Sequence, residues 1–508
     1  MRFLRNSLVI VLFVTTALFA QEQIQHSDPT FIIEEISYNI TGITREHSIR
    51  TTLGLRTGER FSSIQELEWY VQRKKQLLQN QRVFESSDIT YTLGVSQGTG
   101  SQGTDEPMVV PVRLLVTTVD SLNLIGLLAP KYSSANGLEL KLKLQHFNFF
   151  GSMQPLDTDI VFKYDEYGSN IIGGNLAFAI PFNAWGANAS WIFNTGIEWP
   201  IGENPYISFN TGLLFSIPFN SMSIDIGITQ GLTAFQRDDE NRLYLGDELY
   251  FTEKASLSMP FVITTIHGMG DIKWVPSASF TYNWDADGIT NDDLKSPVFS
   301  FGHGISGGEV NWNENFRSGF SASFTNNFSL NYGKDGTLHP SLEGVFQFFL
   351  SNSHLGFNSR LQWFALLSTD TLNIRDTLRG IKQNTEVESA FMINLDLPIK
   401  LFRTNWRAFG AWLTRKEARP GISIIDFELQ VSPFADIAFI HDKQTDRWYH
   451  PADALYSAGL ELLVFPLRWR SVQARFSLGQ NLKELVKSPE NLLHIGTYDV
   501  YIGVGLHY

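Results

Sequence analysis

The segment Leu138-Glu-Leu-Lys-Leu-Lys-Leu144 puts four leucines on one face of a strand and Glu139, Lys141 and Lys143 on the other. A strand that is charged along one side and aliphatic along the other faces two different solvents. The pattern recurs. Ile207, Phe209, Leu213, Phe215 and Ile217 alternate with Ser208, Asn210, Gly212 and Ser216, and Ile224, Ile226 and Ile228 alternate with Asp225 and Gly227. Phe320, Phe324, Phe328, Leu330 and Tyr332 alternate with Ser321, Ser323, Asn327, Ser329 and Asn331. A soluble sandwich also alternates. The charges on one face and the length of the series favour a closed barrel with a polar lumen and lipid outside. At roughly 9–11 residues per membrane strand, the chain from residue 122 to 508 supplies about sixteen antiparallel strands plus loops.

Average composition does not oppose this reading. Apolar residues make up 43% and mean hydropathy is −0.09, well short of a helical membrane protein. A barrel hides its apolar surface in alternation, so the average says little. Aromatic residues at 13% fit interfacial girdles, and the net charge of −13 argues against nucleic acid as a partner. There is no cysteine, which removes disulfides, thiolate metal sites, a cysteine nucleophile and a lipid-modified N-terminal cysteine.

Residues 1–20 read as a secretory signal: Arg2 and Arg5, an apolar core from Leu8 to Val14, and Ala20 at the cleavage site. Residues 28–121 form a small α+β module in the order β-α-α-β-β. Phe31 to Ile40 is a strand, Thr44 to Leu53 a short helix, and Ser63 to Glu66 has capping-box spacing ahead of a second helix. Ile89 to Val95 and Val109 to Val119 are strands, joined by a low-complexity loop from 96 to 105.

Several constellations carry little chemistry. Gly304-Ile-Ser-Gly-Gly308 matches a nucleophile elbow but lies in a β-rich stretch with no helix after it. Asp285 to Asp293 resembles half of a calcium loop and lacks the terminal bidentate Glu. His441, Asp442 and His450 suggest a metal site, but their loop reads as mobile. No enzyme activity, cofactor or metal is expected.

The module, with Gly42, Gly58 and Val83-Phe84, resembles a POTRA domain. Asn148-Phe149-Phe150-Gly151 resembles the Asn-Leu-Phe-Gly element of Omp85-superfamily barrels (bacterial surface antigens of the D15 type). Leu378-Arg379-Gly380-Ile381 resembles the tip of that family's sixth extracellular loop, and Ser432 to Asp442, around Asp436, resembles the strand that follows. Tyr498 to Tyr508 carries apolar residues at every second position and resembles the terminal β-signal, with Tyr501, Gly503, Leu506 and Tyr508 as its marks. Asn394, Ile381 and Ala438 depart from the family pattern, where Glu, an aromatic and Gly are usual.

The resemblance implies a single-POTRA protein of the bacterial outer membrane, with its N-terminal domain in the periplasm. It implies that the loop folds into the lumen with Arg379 on Asp436, and that a seam lies between Leu122–Leu128 and Tyr498–Tyr508. It implies partners too: the outer-membrane bilayer, unfolded outer-membrane or secreted client proteins, and a periplasmic chaperone or accessory lipoprotein. Clients would pair by strand addition at a POTRA edge and at the seam, for insertion or translocation. A dedicated two-partner-type secretion pore and a passive porin or surface antigen remain open alternatives.

Overall fold

The computed structural model describes residues 29–95, 109–133, 137–164, 170–219, 221–236, 247–266, 270–334, 336–368, 371–414, 426–442, 446–489 and 498–504. The expected leader, the 96–105 loop, most of the 238–248 loop, Leu506 and Tyr508 lie outside these residues. The chain divides into two units. The first draws on Met1–Tyr38, Leu55–Gln72 and Ile89–Val116, and the second on Asn39–Gly54, Arg73–Asp88 and Thr117–Tyr508.

The first unit holds most of a four-stranded sheet, ordered Arg60–Phe61, Thr30–Thr41, Val109–Asp120, Phe84–Leu93, whose longer strands run on past its bounds. Period-2 alternation buries Phe31 and Ile33 on one strand and Val110, Val112, Leu114 and Val116 on another. The helix Ile64–Asn80 starts on a reciprocal cap: the Glu66 amide donates to Ser63 Oγ at 3.2 Å, and the Ser62 amide donates to Glu66 Oε2 at 2.7 Å. This is the expected capping box, with the return bond one residue earlier than usual.

The second unit contains the helix Glu46–Leu53, closed by the left-handed Gly54, and a closed ring of antiparallel strands. The Leu249–Ser258 and Phe261–Ile266 segments share one wall position, because both pair with Met222–Ala234 and with Gly270–Trp284. Ser389–Asp396 and Ile399–Arg403 share another beside Phe427–Asp442. Arg447–Trp448 and Leu455–Pro466 share a third on its other side. Among the described residues the ring therefore has eighteen wall positions. That is slightly above the figure of about sixteen from strand length alone. Tight turns explain the excess. Asn170–Ala184 joins Ala187–Pro200 through only Trp185-Gly186, and Val298–Asn313 joins Phe316–Asn331 through only Glu314-Asn315, so little chain is spent on connections at that end.

The wall keeps the two faces that the sequence pattern demanded. Leu140, Leu142 and Leu144 are exposed on the outside, with Leu140 opposite Phe162 and Leu142 opposite Ile160. Phe280 opposes Phe299 on the same outer surface. Inward, Lys141 Nζ meets Asp159 Oδ2 at 2.5 Å, and Glu428 accepts from Gln430 at 2.8 Å with both buried. Backbone groups are satisfied strand to strand round the ring, the one sheet form able to cross a bilayer. No helix among the described residues is long and apolar enough to cross a membrane. Gly304 to Gly308 lies within the strand Val298–Asn313, a setting with no strand-to-helix elbow. A helix that the sequence reading did not anticipate, Trp406–Thr414, interrupts the connection after Ile399–Arg403.

Candidate functional site: a loop pinned inside the wall

Between Gly356–Leu366 and Ser389–Asp396 the chain leaves the wall and returns through a buried turn. Ile374, Leu378 and Ile381 pack there with Phe364, Val387, Ala390, Met392 and Ala438 in one apolar cluster. The cluster explains two of the family departures in physical terms. Ile381 fills an aliphatic niche, and Ala438 packs with no exposed surface. Apolar burial on this scale holds the loop against the inner face of the wall.

Arg379 projects from the same turn into a nest of carboxylates. Its amide and Nε donate to Asp436 Oδ2 at 2.9 and 3.0 Å, and Nη2 donates to Asp436 Oδ1 at 2.7 Å. Nη1 reaches Asp396 Oδ1 at 2.6 Å and Glu461 Oε1 at 3.2 Å. The guanidinium lies 3.9 Å from the centroid of the Phe434 ring. Burial works against the charge, but the Asp436 hydrogen bonds and the fields of Asp396, Asp436 and Glu461 outweigh it and hold the Arg379 pKa well above its ordinary value. The fork geometry of guanidinium suits this bidentate grip.

These acids come to one place because they share a face. Asn394 opposes Asp436, Asp396 opposes Phe434, and Glu461 opposes Ser432 across the ladder. Period-2 alternation turns all of them inward. Asn394, the third departure, donates to Thr377 O at 2.9 Å and so holds the turn's backbone. Glu461 also meets Arg475 at 3.4 Å, and Arg475 lies over the Tyr501 ring at 4.1 Å. The Gly380 amide donates to Asp499 Oδ2 at 3.3 Å. Gly380 has φ +85°, and a Cβ there would sit 2.6 Å from the Gln480 amide nitrogen, so only glycine fits. The network thus extends from the loop to the strand Asp499–Val504, which is the ring neighbour of Leu124–Ser133. Tyr501 and Gly503 lie on that strand, with Tyr501 facing inward.

Asn148, Phe149, Phe150 and Gly151 lie elsewhere. They form a tight turn after Gly137–His146, with Phe149–Gly151 in a 3-10 turn. Asn148 is fully buried and donates to Thr44 Oγ1 at 2.6 Å while accepting from the Met153 amide at 2.9 Å. Asp120 accepts from the Ile43 amide at 2.8 Å and from Thr44 Oγ1 at 2.6 Å. The Arg45 amide donates to Gly151 O at 3.0 Å. Gly151 has φ +70°, and a Cβ would overlap Ile43 O. The motif is a clasp that fixes residues 43–45 and 120 to the first turn of the barrel. Phe149 packs against Phe178 at 5.8 Å between ring centroids, whereas Phe150 is exposed.

Sequence reasoning missed Asp396, Glu461, Asp499, Arg475, Thr44 and Asp120. Asp499 was legible as an inward residue from the alternation of its strand. The others needed the register.

No family model matches the chain, and no curated protein matches it in sequence. Solved structures are similar to it. CdiB from Acinetobacter baumannii is 12% identical, with 93% of this chain and 73% of that one covered and a TM-score of 0.47. BamA from Haemophilus ducreyi lacking POTRA domains 1–3 is 12% identical, over 94% and 85%, at 0.36. CdiB from Escherichia coli is 11% identical, over 91% and 89%, at 0.40.

Proposed function

We propose that this chain is an Omp85-type protein of the bacterial outer membrane that inserts or translocates β-rich client proteins. The observation that carries the reading is the Arg379 grip on Asp436, Asp396 and Glu461 inside a closed barrel, continued to Asp499 on the last described strand. A passive pore has no need of a loop wired to the strand beside its own closing point. In this reading the loop sets the relation between Asp499–Val504 and Leu124–Ser133, and a client strand pairs there by backbone hydrogen bonding.

The Phe84–Leu93 edge of the N-terminal sheet offers a second row of backbone groups to an extended client. The N-terminal domain is on the periplasmic side, where a chaperone or accessory lipoprotein delivers the client. No covalent step is involved.

The test is quantitative outer-membrane proteomics after depletion of the protein. A fall in several unrelated barrel proteins supports a general assembly role. Loss of one secreted or surface protein identifies a dedicated secretion pore instead, and no change in any protein leaves a passive barrel.

A further inference from the structure

The helix Trp406–Thr414 is pinned at its start. Asn405 Oδ1 accepts from the Ala408 amide at 3.0 Å, an N-cap bond. Asp426 Oδ1 accepts from the Trp406 amide at 2.7 Å. The Thr404 amide donates to Phe427 O at 2.8 Å, and the Phe427 amide donates to Thr404 Oγ1 at 2.8 Å. The helix therefore springs from the base of the strand Phe427–Asp442. This is the barrel end that carries the Glu314-Asn315 turn, since Lys400 reaches Glu314 at 3.5 Å.

Its aromatic residues form a stripe. Trp406, Phe409 and Trp412 recur every three residues and so share a face. Their rings follow one another at 5.8 Å between centroids. Trp412 is 73% exposed and Phe409 50% exposed. A stripe of this kind left in water is unfavourable.

We infer that this helix lies in the headgroup layer of the adjacent membrane leaflet and binds a phospholipid surface that includes anionic lipid. The inference rests on the membrane-barrel reading above. Three observations select lipid over protein as the occupant. The stripe is continuous with the outward wall: Leu401 and Phe402 at the helix base are about as exposed as Phe409, and Phe402 packs on Phe427 at 6.0 Å. Tryptophan and phenylalanine at the rim of an apolar band are the residues that settle at a bilayer interface. Charge agrees as well. Arg403 at the helix base and Arg407 on the helix are both exposed. Basic residues beside an interfacial helix draw it to anionic headgroups.

The absence of cysteine allows a direct test. Single spin labels are placed at Trp412→Cys, Phe409→Cys, Arg407→Cys and, on the outer wall, Phe324→Cys. Each full-length variant is reconstituted into phosphatidylethanolamine vesicles with and without phosphatidylglycerol. At 412 and 409, relaxation by oxygen should exceed relaxation by a water-soluble nickel complex by about twofold or more, with the order reversed at 407. Immersion should deepen with phosphatidylglycerol.

Water-like relaxation at 412 and 409, with the 324 label in lipid, overturns the inference and leaves the barrel standing. Water-like relaxation at 324 overturns the barrel reading and the inference together. Labels at 412 and 409 that neither reagent reaches identify a protein partner and overturn the lipid assignment. Equal depth in both vesicles overturns the anionic preference.

Discussion

Asp436 receives three hydrogen bonds from Arg379, one of them from the backbone amide, so the carboxylate holds both the side chain and the turn that carries it. Removing the guanidinium would strand Asp396, Asp436 and Glu461 at one buried spot. For Arg379→Ala we expect the barrel to fold and the loop to detach, with a loss of about 3–5 kcal/mol in loop docking. Trypsin or proteinase K treatment of cells should cut between residues 368 and 388 in the variant and spare the parent. Equal resistance in the two proteins would contradict the role given to this residue.

Arg379→Lys should not rescue that loss fully. An ammonium keeps the charge but cannot span both Asp436 oxygens and Asp396 in one plane. Protection should fall between the parent and the alanine variant. A lysine protein as resistant as the parent would mean that charge alone, without the fork, is enough.

Gly380→Ala attacks the same contact from the backbone. The left-handed conformation costs about 1–2 kcal/mol for a residue with a Cβ, and the new carbon would sit 2.6 Å from the Gln480 amide nitrogen and 2.8 Å from the Gly479 carbonyl carbon. The turn must lift from the wall even with every charge intact. Hydrogen exchange at residues 477–481 should rise, and unchanged exchange would show that the wall can give way instead.

Asn148→Ala should loosen the clasp at the other end of the barrel. It removes a buried donor and acceptor and leaves the Met153 amide unpaired, for roughly 1–3 kcal/mol. Faster exchange at Ile43, Thr44 and Met153, with normal protection at Arg379, is the expected pattern. Faster exchange at both places would mean that the clasp and the lock form one cooperative unit.

Asp247 gives a pH signature outside the wall. Burial pushes its pKa up, but hydrogen bonds from the Thr290 amide and hydroxyl, each at 2.8 Å, and from the Asn291 amide at 2.9 Å, outweigh this and bring it below the ordinary carboxylate value. A lowered folded pKa means that the contribution is present above the unfolded pKa and disappears as pH falls through the folded one. Amide protection at Thr290 and Asn291 should hold at neutral pH and collapse only in acid below the ordinary Asp range. Asp247→Asn should remove that dependence, and identical acid profiles for the two proteins would count against it.

The sequence exposed the wall because alternation is a local property: Leu138–Leu144 needs no partner to declare two faces. Arg379 and Asp436 each lie in a short motif, and it is the family resemblance of those motifs, not the pattern of the residues, that suggests pairing them. The sequence could not expose Asp396 or Glu461 as further partners, since those depend on how Ser389–Asp396 and Leu455–Pro466 register against Phe427–Asp442. The helix Trp406–Thr414 escaped for a different reason. Its run of Trp, Ala, Phe, Gly and Leu suits a strand as readily as one turn after another of helix, and only the caps at Asn405 and Asp426 decide between them. The count of wall positions was hidden in turns as short as Glu314-Asn315, which leave almost no polar interval between strands.

The carboxylates around Arg379 come from three separate strands, and the neighbouring glycine touches a fourth, the last one described. None of these strands is close to the arginine in sequence except Ser389–Asp396. A chain that had stopped short of Leu455–Pro466 would present the loop with an incomplete set of charges, and one lacking Asp499–Val504 would give the Gly380 turn no final wall to lie against. The loop has its full set of partners only when nearly the whole circumference is in place, so its docked position is a signature of a complete ring.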